Sequence, residues 1–268
     1  MPEGHTLHRL ALDLTAAFGG HECAVTSPQG RFAESAALLD HRILIESTAH
    51  GKHLFCEFDD DRWLHVHLGL IGKLVIGPPA PPRGEVRVRI ATRDAVADLR
   101  GPQVCVVRTA AEIDAQMAQL GPDPLRPDAE PDVAWSRITR SGRPIAALLM
   151  DQEILSGVGN VYRAEVLFRA RLDPHRPGKK LQRRSWNAIW ADLLELMPQG
   201  VIDNRIDTVR FQHTAEEMGR PPRHDDHGGE VYVYRRAGMP CFVCGSKVRA
   251  EVLAGRNLFW CGKCQRRG

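Results

Sequence analysis

The chain has 268 residues, of which 43% are hydrophobic and 26% charged, so it can bury the cores of two domains with a small appendage. Neither its start nor any later stretch has the apolar run of a signal peptide or a membrane span, so we expect a bacterial-type cytosolic or nucleoid protein, not a secreted or membrane protein. The net charge of +3 is unevenly distributed: residues 231–268 hold eight basic residues and one acidic residue, and residues 163–184 hold eight and two. This asymmetry is typical of nucleic-acid binding, although two solvated basic faces would give the same counts.

The first 120 residues have the pattern of one helix followed by short strands. Residues 3–18 repeat apolar side chains at helical spacing, which predicts an amphipathic helix. From about residue 20 to residue 108, short apolar segments alternate with Gly, Pro and Asp clusters, as strands do. These segments are RILIES, HLFCEF, WLHVHL, KLVIG, VRVRIA and QVCVV. Regular short strands behind a single helix predict a β-sandwich or a flattened barrel.

The second half of the chain is predicted to be helical. The stretch GPDPLRPDAEPD, at 121–132, holds four prolines and no periodicity, which predicts a linker. RPIAALLMDQEILSG and NVYRAEVLFRA predict two helices joined by a tight turn at 157–159, and Ser185 is the predicted N-cap of a third. Residues 199–230 predict a mobile loop, to which we assign the run HDDH at 224–227 because it resembles a metal cluster only superficially. The last 38 residues are predicted to form a separate unit.

Four of the seven cysteines predict a zinc site. The pairs Cys241-x-x-Cys244 and Cys261-x-x-Cys264 are sixteen residues apart, a spacing typical of a zinc ribbon, although a redox dithiol would also use a CxxC pair. Four thiolates leave no open position for water, so one Zn²⁺ would be structural and would supply much of the folding free energy of so short a unit. The remaining three cysteines are scattered among apolar residues and are expected to be buried thiols: Cys23, Cys56 and Cys105.

The start Met1-Pro2-Glu3 has two interpretations. Removal of Met1 would expose a secondary amine, and α-amino groups titrate near about 7.7–8.0, well below lysine. Such an amine condenses with an aldehyde-like carbon to form an iminium, and Glu3 beside it could shuttle protons. Pro and Glu are equally ordinary residues at a helix start, so this stretch alone leaves both interpretations open.

Five segments resemble, in order and separation, the formamidopyrimidine-DNA glycosylase/endonuclease VIII family. They are MPEGHTLHRLA, GKHL at 51–54, HLGLIG at 67–72, LLMDQEILSGVGNVYRAEVLF at 148–168 and the terminal cysteine pairs. The resemblance covers nearly the whole chain and is greatest to the actinobacterial endonuclease VIII-like branch.

The resemblance implies an α+β multidomain fold, with DNA lying between the two main domains. The predicted parts are an N-terminal two-layer β-sandwich with an N-terminal helix (1–120), a linker (121–132), a helix–two-turn–helix domain (133–230) and a zinc-ribbon finger (231–268). It also implies a monomer that binds double-stranded DNA containing oxidised bases or abasic sites, with no membrane partner.

Four residues match the family's catalytic positions. Pro2 matches the nucleophile that attacks the sugar C1′ and forms the Schiff base, and Glu3 matches the acid that protonates the ring oxygen. Lys52 matches the basic residue needed for base excision and for a phosphate contact. Arg256 matches the finger arginine that holds the phosphates flanking the lesion and promotes the second elimination.

The resemblance also implies DNA contacts. His67 and Asn160 match phosphate-binding positions, and a helix that starts at Asn160 after two glycines would present free N–H groups to an anion. Leu70 matches the apolar wedge that fills the gap left by an everted base, although a plain strand leucine is the alternative. Gln103 lies where the formamidopyrimidine branch has an arginine beside the orphaned base.

The predicted substrate follows from departures from the formamidopyrimidine branch. Gln103 and Cys105 replace Arg and Phe, and Thr6 replaces the Glu of MPEGPE-type starts, so 8-oxoguanine opposite cytosine is disfavoured. We expect a glycosylase/AP lyase that removes oxidised pyrimidines and cuts by β,δ-elimination. The alternatives are a catalytically silent zinc-ribbon DNA-binding protein and a tautomerase-like enzyme. The latter explains neither the zinc ribbon nor the basic segments.

Overall fold

The computed structural model describes residues 2–225 and 229–266, and the chain divides into two units, residues 1–119 and 120–268. Each unit is described by itself. The break falls at the start of the predicted linker, and the division into four parts remains a prediction. No helix in the described ranges combines the length and the apolar character that crossing a bilayer requires.

The first unit is an antiparallel sheet with one long helix. Its elements are α1 (Gly4–Phe18), β1 (His21–Thr26), α2 (Ala33–Ala37), β2 (Arg42–His50), β3 (His53–Phe58), β4 (Arg62–His67), β5 (Lys73–Gly77), β6 (Val88–Ala91), β7 (Val96–Arg100), β8 (Val104–Arg108) and α3 (Ala110–Met117). The strand order is β5-β7-β6-β1-β2-β3-β4-β8. The first half of β1 pairs with β2 and its second half with β6, so β1 belongs to both layers of a β-sandwich.

The amphipathic pattern of α1 directs its packing. Leu7, Ala11, Leu14 and Phe18 lie on one stripe and are buried in the core of this unit, together with apolar residues of the strands. The predicted helix and the six predicted strands are confirmed to within a few residues. Four elements were not predicted: β1, β7, α2 and α3.

The second unit is helical up to its last strands. Its elements are α4 (Pro131–Thr139), α5 (Ile145–Leu148), α6 (Asn160–Arg169), α7 (Arg183–Asp203), β9 (Arg249–Leu253) and β10 (Arg256–Trp260), with 3₁₀ turns at Gly178–Lys180 and Phe211–His213. β9 and β10 form an antiparallel hairpin. Its core takes side chains from α6, α7 and the hairpin together.

Three sequence expectations in this unit are wrong in detail. The predicted helix over 143–157 is only the four-residue α5, because the Gln152 side chain bonds backbone groups of the turn that follows, including Val158 O at 3.1 Å and Gly157 N at 3.0 Å. Ser185 is not an N-cap: α7 begins at Arg183, and Ser185 N already donates to Gln182 O within the first turn. α4 begins inside the predicted linker, with proline at its first position.

The predicted loop at 199–230 begins later than expected, because α7 continues to Asp203 and ends at Asn204 in a left-handed conformation. Beyond it, the described residues hold only one 3₁₀ turn before the hairpin. Two residues of the HDDH run, Asp226 and His227, lie outside the described residues.

Candidate functional site

The amino terminus lies toward one identifiable end of the sheet. Gly20 N, just after α1, donates to Leu44 O at 2.8 Å, and Ser47 N donates to Thr15 Oγ1 at 2.8 Å. α1 therefore runs antiparallel to β2. From Thr15 back to residue 3 is about 18 Å of helix at 1.5 Å per residue, which carries the helix start toward the end of β2.

Glu3 is the N-cap residue of α1 and is fully buried, whereas Pro2 before it is half-buried. Both therefore lie toward the turn that joins β2 to β3, at Gly51 and Lys52. The Glu3 side chain makes no capping hydrogen bond, so helix capping does not explain why this carboxylic acid is buried.

The same end of the sheet gathers four predicted site residues. The β2–β3 turn carries Lys52, and His67, the last residue of β4, pairs with His53, the first residue of β3. Gln103 N donates to His67 O at 2.8 Å. Leu70 lies in the loop that follows β4, and its side chain is 57% exposed. The residues that the sequence scattered over fifty positions thus lie at one sheet end.

The loop after β4 has a fixed shape. Gly72 N donates to Leu68 O at 3.0 Å, which closes the loop, and Gly69 N donates to His67 Nδ1 at 3.1 Å. Gly69 has a φ of +69°, and a Cβ there would lie 2.9 Å from Gln103 Cβ, so glycine is required twice over. The loop presents two adjacent exposed apolar side chains, because Ile71, which the sequence analysis did not single out, is 86% exposed.

His53 is a second residue that the sequence analysis missed. Its Nδ1 lies 2.8 Å from Nε2 of the buried His65. Burial is the main cause that lowers the pKa of His53 to about 3 and that of His65 to about 4, and it also lowers the pKa of His67, with a further contribution from the charge of Lys52. All three imidazoles are therefore neutral at physiological pH.

The start of α6 is tied to the C-terminal hairpin. Asn160 Nδ2 donates to Asn257 O at 2.9 Å, and Arg163 Nη2 donates to the same oxygen at 2.8 Å and also to Asn160 Oδ1. Arg256, next to Asn257, is exposed. The structure therefore brings Asn160 and Arg256 together in the second unit, with the buried Arg163 as a further supporting residue that the sequence did not reveal.

The four paired cysteines form a metal site of the expected shape. All four Sγ atoms lie within 4.8 Å of one another, with Cys241–Cys264 at 3.9 Å and Cys244–Cys261 at 3.5 Å. A tetrahedral zinc with Zn–S bonds of about 2.3 Å requires S–S edges of about 3.8 Å. The residues fit one Zn²⁺ closed by four thiolates, which is structural.

The other three cysteines are inert thiols. Cys23 and Cys56 are buried, and Cys105 is half-buried. Burial is the main cause that raises the pKa of the Cys23 thiol to about 11 and those of Cys56 and Cys105 to about 12. None of them forms a thiolate near neutral pH. The predicted burial is confirmed for Cys23 and Cys56, whereas Cys105 is only half-buried.

Three family models match the chain in succession. They are the formamidopyrimidine-DNA glycosylase N-terminal domain over residues 1–104, the formamidopyrimidine-DNA glycosylase H2TH domain over residues 120–212, and the zinc finger found in FPG and IleRS over residues 238–267.

Curated relatives match the chain along its length. Endonuclease 8 1 of Mycobacterium tuberculosis is 49% identical, covering 99% of this chain and 100% of that protein. The probable endonuclease 8 2 of Streptomyces coelicolor is 30% identical, covering 99% and 94%. The formamidopyrimidine-DNA glycosylase of Thermus thermophilus is 30% identical, covering 87% and 86%.

Solved structures share the fold. The MutM (Fpg) protein of Thermus thermophilus superposes with a TM-score of 0.77 at 26% identity, covering all of both chains. Lactococcus lactis Fpg, in a complex with DNA that contains an abasic site, superposes with a TM-score of 0.82, covering 99% of this chain and 100% of that one. At 20% identity, this second likeness concerns the fold alone.

Proposed function

Because this chain belongs to the formamidopyrimidine-DNA glycosylase/endonuclease VIII family, whose members are base-excision-repair DNA glycosylases with AP lyase activity, we propose that it removes oxidised pyrimidines and then cuts the strand through Pro2. The main support is the course of α1, which carries Pro2 and the buried Glu3 toward the sheet end that holds Lys52. We propose that it acts on chromosomal DNA, in association with the bacterial nucleoid.

The proposed chemistry begins at the nitrogen of Pro2 once Met1 has been removed. The amine attacks C1′ and gives up its proton, the bond from C1′ to the base breaks, and the base leaves with a proton in place of that bond. Opening of the sugar ring gives an iminium between C1′ and the proline nitrogen, and Glu3 supplies the proton that O4′ takes up. A carboxyl group buried at this position is shielded from water, which suits a proton donor.

Strand cutting follows from the iminium, which acts as an electron sink. Loss of a proton from C2′ sends electrons toward C1′ and expels the 3′ phosphate. A second elimination expels the 5′ phosphate, and water then releases the sugar fragment and restores the amine. Arg256 is proposed to hold the flanking phosphates and to assist that second elimination, and Lys52 is proposed to assist base excision.

DNA binding is proposed to rest on phosphate contacts. Lys52 and His67 supply them from the first unit, and Asn160 and Arg256 from the second. Eversion of a nucleotide costs a few kcal/mol, which backbone contacts help to offset. Leu70 is proposed as the wedge that fills the vacated stack, and its exposure suits that role.

The zinc would act on DNA only indirectly. Its four ligands would be Cys241, Cys244, Cys261 and Cys264, which leave no position open for water or DNA. The bound zinc would stabilise the fold of the C-terminal segment. Cys261 follows β10 directly, so the metal fixes the strand whose first residue is Arg256.

The lesion preference is proposed from two positions near the site. Gln103 lies against the β4 loop that carries Leu70, where the side chain can contact the base left without a partner. Thr6, in the first turn of α1, is a short neutral residue near the chain start. Both depart from the formamidopyrimidine pattern, which supports oxidised pyrimidines over 8-oxoguanine.

Borohydride trapping tests the proposal. With duplex DNA that contains an abasic site, borohydride should reduce the iminium and leave a covalent complex in the unaltered protein. Pro2→Gly should trap at least a hundredfold less, whereas the surface control Pro28→Gly should trap normally. Intact mass should show that Met1 has been removed.

The opposite result would support the alternative function. Salt-dependent binding of DNA by the unaltered protein, without trapping or strand cutting, would leave a zinc-stapled DNA-binding protein. An excision panel with thymine glycol, dihydrouracil, 5-hydroxycytosine and 8-oxoguanine would then test the lesion preference; equal or faster release of 8-oxoguanine opposite cytosine contradicts it.

A further inference from the structure

Three histidines pack together on one face of β3 and β4. His53 and His67 are cross-strand partners with ring centroids 4.9 Å apart, and the centroid of His65 lies 5.1 Å from that of His53. Phe55 extends the stack, because its ring is parallel to that of His53 and lies 4.9 Å from that of His65. We name His53, His65 and His67 the histidine stack.

The hydrogen bonds of the stack fix where its protons lie. Gly69 N–H donates to Nδ1 of His67, so this neutral ring carries its hydrogen on Nε2. Between Nδ1 of His53 and Nε2 of His65, 2.8 Å apart, either atom could be the donor. The environment of the other ring nitrogen of His65, Nδ1, decides whether His53 or His65 is the donor.

Nδ1 of His65 is buried and has no hydrogen-bond partner in the described residues. If His53 donated, Nδ1 of His65 would have to carry a buried hydrogen without an acceptor, an arrangement that proteins strongly avoid. If His65 donates, only a lone pair is left unused. His65 Nε2–H therefore donates to His53 Nδ1, and His53, like His67, carries its hydrogen on Nε2.

The two Nε2–H groups are available to a ligand. Within the part of the chain that the structure describes, neither Nε2 of His53 nor that of His67 has a hydrogen-bond partner, and neither atom is buried. Both rings are half-buried and remain neutral, while the charge of Lys52 is near enough to lower the pKa of each. One cation beside two neutral N–H donors is an array suited to phosphate oxygens.

We propose that His53 is a further phosphate-contacting residue of the DNA site, beside Lys52 and His67, and that His65 is the positioning residue that holds its Nε2–H tautomer. This inference rests on the proposed function, because the phosphate belongs to the damaged strand. The stack is no metal site, since among the described residues only the four paired cysteines gather closely enough to hold an ion.

The neutrality of the donors separates their effect from that of a lysine. A lysine that contacts phosphate releases a counterion on binding, so its loss lowers the slope of log K against log salt by about 1. A neutral imidazole releases none. We expect His53→Phe to weaken DNA binding by about tenfold with an unchanged salt slope, as removal of a hydrogen bond to a charged group should, whereas Lys52→Ala lowers the slope.

The test measures binding of abasic-site duplex DNA in the Pro2→Gly background, in which we expect at least a hundredfold less reaction than in the unaltered protein. His53→Gln keeps an amide N–H at the place of Nε2 and should bind nearly as the parent does, whereas His53→Asn keeps a polar group only at the place of Nδ1 and should bind like His53→Phe. His41, an exposed histidine paired with Glu22, gives the matched control His41→Gln, which should have no effect.

The role of His65 has its own readout. In ¹⁵N-histidine spectra of the free protein, His53 should show an unprotonated Nδ1 and a protonated Nε2. His65→Leu should give His53 a mixture of tautomers and weaken binding, and His65→Gln, which keeps a donor, should restore both. In the otherwise unaltered protein, His53→Phe should raise the DNA concentration for half-maximal cutting more than it lowers the limiting rate.

The outcomes separate this inference from the proposed function. If the unaltered protein does not trap abasic-site DNA and the Pro2→Gly parent does not bind it, both fail together. If the unaltered protein traps DNA but His53→Phe and His53→Asn bind within twofold of the Pro2→Gly parent, or Nδ1 of His53 is protonated, only the histidine proposal is overturned.

Discussion

The buried carboxylate of Glu165 gives the sharpest stability prediction. It lies on α6 and accepts four hydrogen bonds: from Thr208 Oγ1 at 2.6 Å and from the backbone N–H groups of Tyr232, Val233 and Tyr234 at 2.7, 2.9 and 2.9 Å. One helix residue thereby fixes the segment that leads into the zinc ribbon.

Glu165→Gln should destabilise the second unit by about 2–4 kcal/mol. The glutamine can place its amide nitrogen on either side, and the less harmful choice is the side that faces Thr208 and Tyr232. There the Thr208 hydroxyl can turn and accept a hydrogen bond from the amide. The backbone N–H of Tyr232, however, loses its acceptor, which costs about 1–3 kcal/mol. The two remaining bonds lose their charge assistance. The buried Arg236 adds to the loss: burial lowers its pKa to about 10, and the charge of Glu165 opposes that fall.

Urea unfolding followed by circular dichroism and tryptophan fluorescence measures the change. The control is Glu153→Gln, an exposed glutamate in the same unit, which should stay within about 0.5 kcal/mol. A shift of about 2–4 °C in melting temperature for each kcal/mol should accompany the loss. If Glu165→Gln unfolds at the same urea concentration as the control, the four bonds do not carry the stability assigned to them.

Three further predictions concern the metal, the wedge and a titrating histidine. Cys261→Ser should release zinc and weaken DNA binding at least tenfold, as measured by a zinc-dye assay and binding isotherms; full affinity without metal would contradict the assigned role. Leu70→Ala should slow base release from duplex DNA several-fold but leave cutting of single-stranded abasic DNA unchanged, and equal slowing on both substrates argues against a wedge. Burial lowers the pKa of His175, but bonds to Glu251 and Asp173 outweigh it and raise the pKa overall. The contribution of His175 to the free energy of unfolding is therefore complete below its unfolded-state pKa, about 6.5, and is lost as pH rises through its pKa in the folded protein. In His175→Gln, the free energy of unfolding should vary less between pH 6 and pH 9 than in the unaltered protein. An unchanged pH profile refutes the pairing.

The features that the sequence predicted correctly depend on local spacing. The apolar stripe of α1 and the two CxxC pairs each lie within a few turns of chain, so a pattern alone reveals them. β7 was missed because Asp98 interrupts its apolar pattern. That carboxylate is satisfied by Arg89 at 2.7 Å and by Arg100 at 2.8 Å, and the partner on β6 becomes apparent only when the strands are paired.

The candidate site shows the same division. Lys52 and Asn160 stood out because short motifs surround them, whereas His53 did not, since its partner His65 lies twelve residues away and the hydrogen bond exists only across the folded hairpin. The early end of α5 was hidden for a different reason. An apolar run predicts a helix, but the Gln152 side chain competes for the backbone groups beyond it.

The contacts of α6 connect it both to the C-terminal hairpin and to the segment that precedes the zinc ribbon. Its first residue, Asn160, binds the backbone of Asn257 beside Arg256, and Glu165, more than a turn later, holds the segment before the zinc ribbon. A displacement of the hairpin would therefore break hydrogen bonds at both places on one helix. Since β10 runs from Arg256 to Trp260 and Cys261 follows it, the helix and the metal site both hold the strand that begins at Arg256. If Arg256 contacts a phosphate as we propose, a backbone held in this way reduces the conformational entropy lost on binding.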